Sequence, residues 1–301
     1  MHQRADEHPG HERNKIARPP DLLCLPIAPA HRLGRDAATL MCVYATLIRS
    51  AERAVTTTDW LVSRHGFSFG DHYDPDNTHH GTLLIFNDDT VTPGGGYDLH
   101  RHRNSEILTW VLEGVLSHRD SDGNEGSVPP GVVQRMSAGA GVEHSERNDA
   151  ATPVHFIQMT LAPDDADTAA TYEHADVSAD LARSVLVTLA SGIPERPGAI
   201  GLGTSGAALH VARPAPGQSV TLPQARYVHV FVTSGRAEMT GLDLSGADTD
   251  GPVVMEAGGS LRLTDPDAGE DGATTAVSVR GIDPDTEILI WEMHRGLMDP
   301  A

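Results

Sequence analysis

The sequence predicts an all-β chain: two β-barrels in tandem behind a poorly ordered N-terminal extension. Short apolar runs, such as 82–86 (TLLIF), 107–112 (ILTWVL) and 154–161 (VHFIQMTL), recur from Trp60 onward. They are separated by clusters of Gly, Asp, Asn and Pro, with no ten-residue helical pattern between them. A stretch of the same style returns over about 184–293. Its segment 227–234 (YVHVFVTS), followed by Gly235, looks like 108–113 (LTWVLE), followed by Gly114, a weak internal repeat. Residues 1–56, by contrast, hold a Pro pair, scattered charge and little periodicity.

The chain divides on this reading into an extension over 1–56, a first barrel over 57–175 and a second barrel over 176–301. Within the extension, 37–48 (AATLMCVYATLI) is apolar and follows Arg32 and Arg35. It starts too far from Met1, and lacks the cleavage pattern, for a secretory signal. The expectation is a surface-packed segment with a short helix around 37–53. Between the barrels, 164–180 is acidic and rich in Ala and Thr, and reads as a linker. Residues 265–273 (DPDAGEDGA) read as a solvated loop.

The 301 residues suffice for two domains, each with its own core. A net charge of −20 argues against direct contact with nucleic acid, which needs a basic face. No run of eighteen apolar residues occurs, so no spanning helix and no membrane partner are expected. Cys24 and Cys42 are the two cysteines, too few for a disulfide framework or a thiolate metal site. A reducing cytoplasm suits this usage, and a monomer is expected.

Two clusters carry chemistry: His100-Arg101-His102 and His144-Ser145-Glu146. Each sets two metal-capable side chains at i and i+2, which a β-strand presents on one face. Two such strands facing each other inside a barrel would bring three imidazoles and one carboxylate to a point. That set suits Fe(II), Ni(II), Mn(II), Co(II) or Zn(II) with one or two positions open. Seventeen histidines make chance pairs easy, but two clusters about forty residues apart are harder to reach by chance. His118 and His155 read as structural or surface residues, and the loop pair His79-His80 as solvated. His210, His229 and His294 each stand alone, so no metal site is expected in the second barrel.

The sequence around the clusters resembles the cupin motifs, and more closely those of the pirin branch. The matching segments are His100-Arg101-His102 to Glu106, Leu112-Glu113-Gly114, 118–126 (HRDSDGNEG) and 136–146 (MSAGAGVEHSE). Upstream, 67–75 (FSFGDHYDP) and 86–89 (FNDD) also look like pirin landmarks. The resemblance is strong over about 60–165 and weak elsewhere. It implies a bicupin with one divalent transition metal per chain in the first barrel, held by His100, His102, His144 and Glu146. Fe(II) is the expected ion, with Ni, Co, Mn and Zn as alternatives. Glu106 is expected behind the ligands, orienting an imidazole or a bound water. Arg101 replaces the Pro usual between the paired histidines, and Val132 and Arg135 depart from the pattern further along.

The activity implied is that of a quercetin 2,3-dioxygenase, with O₂ and a small aromatic flavonol as substrates and Glu146 as general base. Trp110 and Met136 would wall the aromatic ring, and Arg135, if it faces the pocket, could bind an anionic group. A second reading keeps the ligands but makes the protein a non-enzymatic, iron redox-sensing regulator with a protein partner. A third is a cupin isomerase or other small-molecule enzyme. Fold and ligands are shared among these, and the pocket walls decide.

Overall fold

The computed structural model describes residues 23–26, 42–242, 252–265, 268 and 277–299. Strands dominate throughout. The chain begins with β1 (Leu23–Pro26) and β2 (Cys42–Ile48), then β3 (Ala54–Thr57), β4 (Leu61–His65), β5 (Leu83–Val91), β6 (Gly96–His102) and β7 (Glu106–Glu113). It continues with β8 (Leu116–Asp120), β9 (Glu125–Val128), β10 (Val132–Ser137), β11 (Val142–Arg147), β12 (Val154–Leu161) and β13 (Thr171–Asp176). A single-turn helix, α1 (Ser178–Leu181), leads to β14 (Leu186–Ser191), β15 (Ile200–Gly201), β16 (Ala207–Ala212), β17 (Ser219–Thr221) and β18 (Tyr227–Ser234). Last come β19 (Arg236–Thr240), β20 (Val253–Glu256), β21 (Ser260–Thr264), β22 (Ser278–Gly281) and β23 (Glu287–Met293).

These strands form two barrels, each a large sheet facing a four-stranded one. The first pairs the order β13-β10-β7-β12-β5-β4-β3 with β6-β11-β8-β9. The second pairs β1-β2-β21-β18-β23-β16-β14-β15 with β17-β22-β19-β20. The repeat seen in sequence is real: β7 and β18 are each central strands of their large sheets, flanked by β12 and β23 respectively.

The two large sheets pack against each other. Phe86, Leu108, Trp110 and Met159 of the first meet Leu209, Phe231, Leu289 and Trp291 of the second in one buried cluster. Trp110 and Trp291 are 1% and 0% exposed, and truncating either would cost on the order of 3–5 kcal/mol. Their ring nitrogens cross the interface in opposite directions. Trp110 Nε1 donates to Glu287 Oε1 at 3.0 Å, and Trp291 Nε1 points at Met159 Sδ at 3.3 Å.

Three expectations are corrected. The helix expected around 37–53 is not formed over its described part: 42–48 is strand β2, and 50–52 is one 3₁₀ turn. Residues 37–41 lie outside the described residues. β2 joins the second barrel's sheet, pairing Tyr44 with Thr264 and Leu47 with Leu261, while Val43 and Ala45 enter that barrel's core. The β-branched residues of CVYATLI suit a pleated, half-buried surface, and the sheet edge supplies the partner that a local reading lacks. The expected linker 164–180 holds β13, which pairs along the whole of β10, from Val132↔Asp176 to Ser137↔Thr171. His80, expected in a solvated pair, is buried, and its Nε2–H donates to the carbonyls of Val228 (3.2 Å) and Leu263 (3.1 Å). Of the expected loop 265–273, residues 266, 267 and 269–273 lie outside the described residues.

Candidate metal centre

The site is built on β6 and β11, neighbours in the first barrel's small sheet. Their register sets His144 directly across from His100, and Val142 across from His102. The i, i+2 spacing then sends His100, His102 and His144 to one face. Two glycines permit the close approach. Gly96 opens β6 with φ +143°, and a Cβ there would lie 2.4 Å from the Glu146 carbonyl. Gly139, in the turn between β10 and β11, has φ +46°, and a Cβ would lie 2.2 Å from the Thr168 carbonyl. The turn after β11 is fixed by buried Asn148, whose amide donates to Val91 O (3.0 Å) and Thr152 O (2.9 Å).

The three imidazoles converge, their ligand atoms lying within 4.8 Å of one another. The Nε2 atoms of His100 and His144 are 3.1 Å apart. Nitrogens this close could both reach one ion at metal–nitrogen distances of about 2.1 Å. His100 Nδ1–H donates to the Asp98 carbonyl at 2.7 Å, which fixes the tautomer and leaves Nε2 as the bare lone pair. Burial, reinforced by the neighbouring imidazoles, pushes His144 down to about 3 and His102 to about 4, so both are neutral near pH 7. Neutral, converging imidazoles fit a divalent transition ion.

Glu146 groups with His144 and His118, beside the cluster of three imidazoles. A register shift between His144 and Glu146 sets Glu146 opposite Tyr97 on β6 and opposite His118 on β8. Its carboxylate converges with His144 and His118, a second three-donor group, all buried, that overlaps the first. Thr109 donates to its Oε1 at 3.4 Å, and the Gln158 amide donates to its Oε2. Burial pushes this carboxyl upward, against the hydrogen bonds from Gln158 and Thr109. Close by, Tyr97 donates to Asp89 at 2.8 Å, and burial raises Asp89 to about 6.

Strand parity sorts the remaining candidates. On β7, Ile107 and Thr109 face the barrel interior, so Glu106 and Trp110 face the second barrel. Glu106, expected behind the ligands, instead accepts hydrogen bonds from Gly203 N and Thr204 Oγ1, both at 2.7 Å. Trp110, expected as a pocket wall, is engaged with Glu287. On β10, Gln134 and Met136 face inward and Arg135 outward. Met136 packs with Ile107, Ala138 and Val142 in a buried apolar cluster. Arg135 donates to Gly201 O (2.7 Å) and Thr171 Oγ1 (3.0 Å) and lies 3.9 Å from Glu106, so it tethers the second barrel and does not reach the imidazoles.

Sequence reasoning missed Thr109, Gln158 and His118. The last is 1% exposed, stacked at 4.7 Å on Tyr172 and 5.4 Å from the His144 ring. The alternation of β8 (Leu116, His118 and Asp120 inward) was the available signal. In the second barrel, His210 and His294 are not alone. Both donate to Glu292, at 3.0 and 2.8 Å, and Arg196 pairs with the same carboxylate. His155 is structural, bound to Asp88 at 2.6 Å.

Comparison with known proteins agrees with this architecture. The Pirin family model matches residues 48–161. A Mycobacterium tuberculosis protein named "Putative quercetin 2,3-dioxygenase" is 51% identical over 256 residues, covering 84% of this chain and 96% of its own. The quercetin 2,3-dioxygenase of Escherichia coli K12 is 41% identical over 128 residues, 42% of this chain and 55% of its own. Among solved structures, the bacterial pirin YhhW of Escherichia coli in complex with nickel(II) superposes with a TM-score of 0.70 at 27% identity, covering 83% of this chain and 99% of its own.

Proposed function

Because the chain belongs to the pirin family of cupins, we propose that it is a metal-dependent oxygenase of the quercetin 2,3-dioxygenase type, opening a flavonol or similar enolisable aromatic with O₂. The observation that carries the reading is the convergence of three imidazoles beside a buried carboxylate. The names borne by its relatives point the same way.

A divalent ion held by His100, His102 and His144, with Glu146 as the carboxylate of the set, would supply Lewis-acid polarisation of the substrate's oxygens and a path for electrons to O₂. Fe(II) is the ion proposed, with Ni(II), which the Escherichia coli pirin structure holds in complex, as the alternative. The protein's part is acid–base chemistry and confinement. Glu146 takes the proton of the flavonol 3-hydroxyl, because burial raises its affinity for a proton. Gln158 and Thr109 aim the carboxylate. Ile107, Met136 and Val142 wall the interior with apolar surface and keep water from the electron-rich ring. Both atoms of O₂ enter the cleaved depside, C3 leaves as carbon monoxide, and Glu146 returns its proton to the product carboxylate.

The test is anaerobic loading with Fe(II), then quercetin and air, following flavonol absorbance and carbon monoxide release. Turnover with carbon monoxide supports the enzyme. Absence of turnover with Fe(II), Ni(II), Co(II) and Mn(II) alike would overturn it and leave a metal-binding regulator.

A further inference from the structure

The proposed reaction uses three imidazoles and Glu146, yet a fourth histidine stands inside the same barrel. His118 is buried on β8, directly across the ladder from Glu146, and Tyr172 stacks on its ring. The described partner of its Nε2 is Asp120 Oδ2 at 3.4 Å, and its Nδ1 is buried with no hydrogen-bond partner. Asp120 is itself held in place by Asn124, through backbone N at 2.9 Å and side-chain Nδ2 at 2.8 Å. A carboxylate that takes Nε2–H leaves Nδ1 as a bare lone pair, the arrangement by which proteins prepare a histidine for a metal. An unpartnered buried acceptor is otherwise a cost with no return.

From this geometry we infer that His118 is a further metal donor. With His144 and Glu146 it forms an inner position that shares His144 with the outer set of His100, His102 and His144. The inner donors are all buried, whereas His100 and His102 are half-buried, so the second position lies deeper in the barrel. The two positions share the His144 imidazole. The outer position offers three nitrogens near the half-exposed face. The inner one offers two nitrogens and a carboxylate, a harder set that suits an oxygen-loving ion. The inference rests on the metal reading of the site and is independent of which reaction follows.

The experiment is Co(II) titration of the full chain, read by calorimetry and by the visible absorption of the bound ion. In a His100→Ala/His102→Ala variant the outer set is gone. One equivalent of Co(II) should still bind, more weakly than in wild type and with a changed visible spectrum. Adding His118→Gln or His118→Leu should abolish that residual binding, with far-ultraviolet circular dichroism confirming the fold. Two results overturn the inference: no Co(II) binding by the double variant, or residual binding that survives loss of His118 in a folded protein. Quercetin turnover by wild type is scored separately. Turnover without inner binding defeats this inference alone, and inner binding without turnover defeats the dioxygenase alone.

Discussion

The carboxylate of Glu106 accepts hydrogen bonds of 2.7 Å from the Thr204 hydroxyl and the Gly203 amide, joining the central strand of one barrel to a turn of the other. Glu106 is fully buried, with the Arg135 guanidinium 3.9 Å away as countercharge. Removing a buried partner strands the groups left behind. Glu106→Ala should therefore cost on the order of 3 kcal/mol and lower Tm by at least about 5 °C. Its Ni(II) affinity should match wild type, since the side chain touches no imidazole. Calorimetry of unfolding and of metal binding reads both, and a Glu106→Ala protein with weakened metal binding would contradict this placement.

Metal should stabilise the fold through His144, the residue common to both donor groups. Free Ni(II) at 100 times its Kd should add about 2.7 kcal/mol. His144→Ala should show no Ni(II)-dependent rise in Tm at the same concentration. Retention of stoichiometric metal by that variant would refute the site.

Glu146→Gln keeps the shape of the side chain and removes the base. Under saturating metal, flavonol turnover should fall by about 10²- to 10⁴-fold, the usual share of a general base. Gln158→Leu should lower kcat in the same direction by leaving the carboxylate unaimed, which steady-state kinetics on quercetin would detect.

Acid stability should depend on Glu292. Burial works against its ionisation, but the hydrogen bonds from His210 and His294 and the Arg196 charge outweigh it, bringing the carboxyl down to about 2. A carboxyl depressed in the folded state stabilises fully above its ordinary value of 4.5 and loses that contribution as pH falls through about 2. Glu292→Gln should thus be less stable than wild type at pH 6, with the gap closing between pH 4.5 and 2. Urea unfolding across that range measures it. A gap that widened toward low pH would show the sign to be wrong.

Much of this molecule was legible in short-range pattern. The recurrence of apolar runs and turn residues announced strands, and 108–114 with 227–235 announced the repeat. The spacing of His100 with His102, and its recurrence at His144, gave three imidazoles on one face, because a strand's period of two is a local property. What failed was the assignment of faces and neighbours. Glu106 and Trp110 lie close in sequence to the histidines, yet they sit on the strand face opposite Thr109 and belong to the barrel interface. Strand β2 looked helical or unstructured until strand Ser260–Thr264 of the second barrel was there to pair with it.

Composition and periodicity by themselves determined that the chain is built of strands, that it is doubled, and that three histidines share a face. The tertiary structure decided which side of each strand looks into a barrel, and so assigned Glu106 and Arg135 to a tether, His210 and His294 to Glu292, and His118 to the company of Glu146. The physical reason is that alternation along a strand is intrinsic to the backbone, whereas what faces each side depends on sheets packed from distant segments.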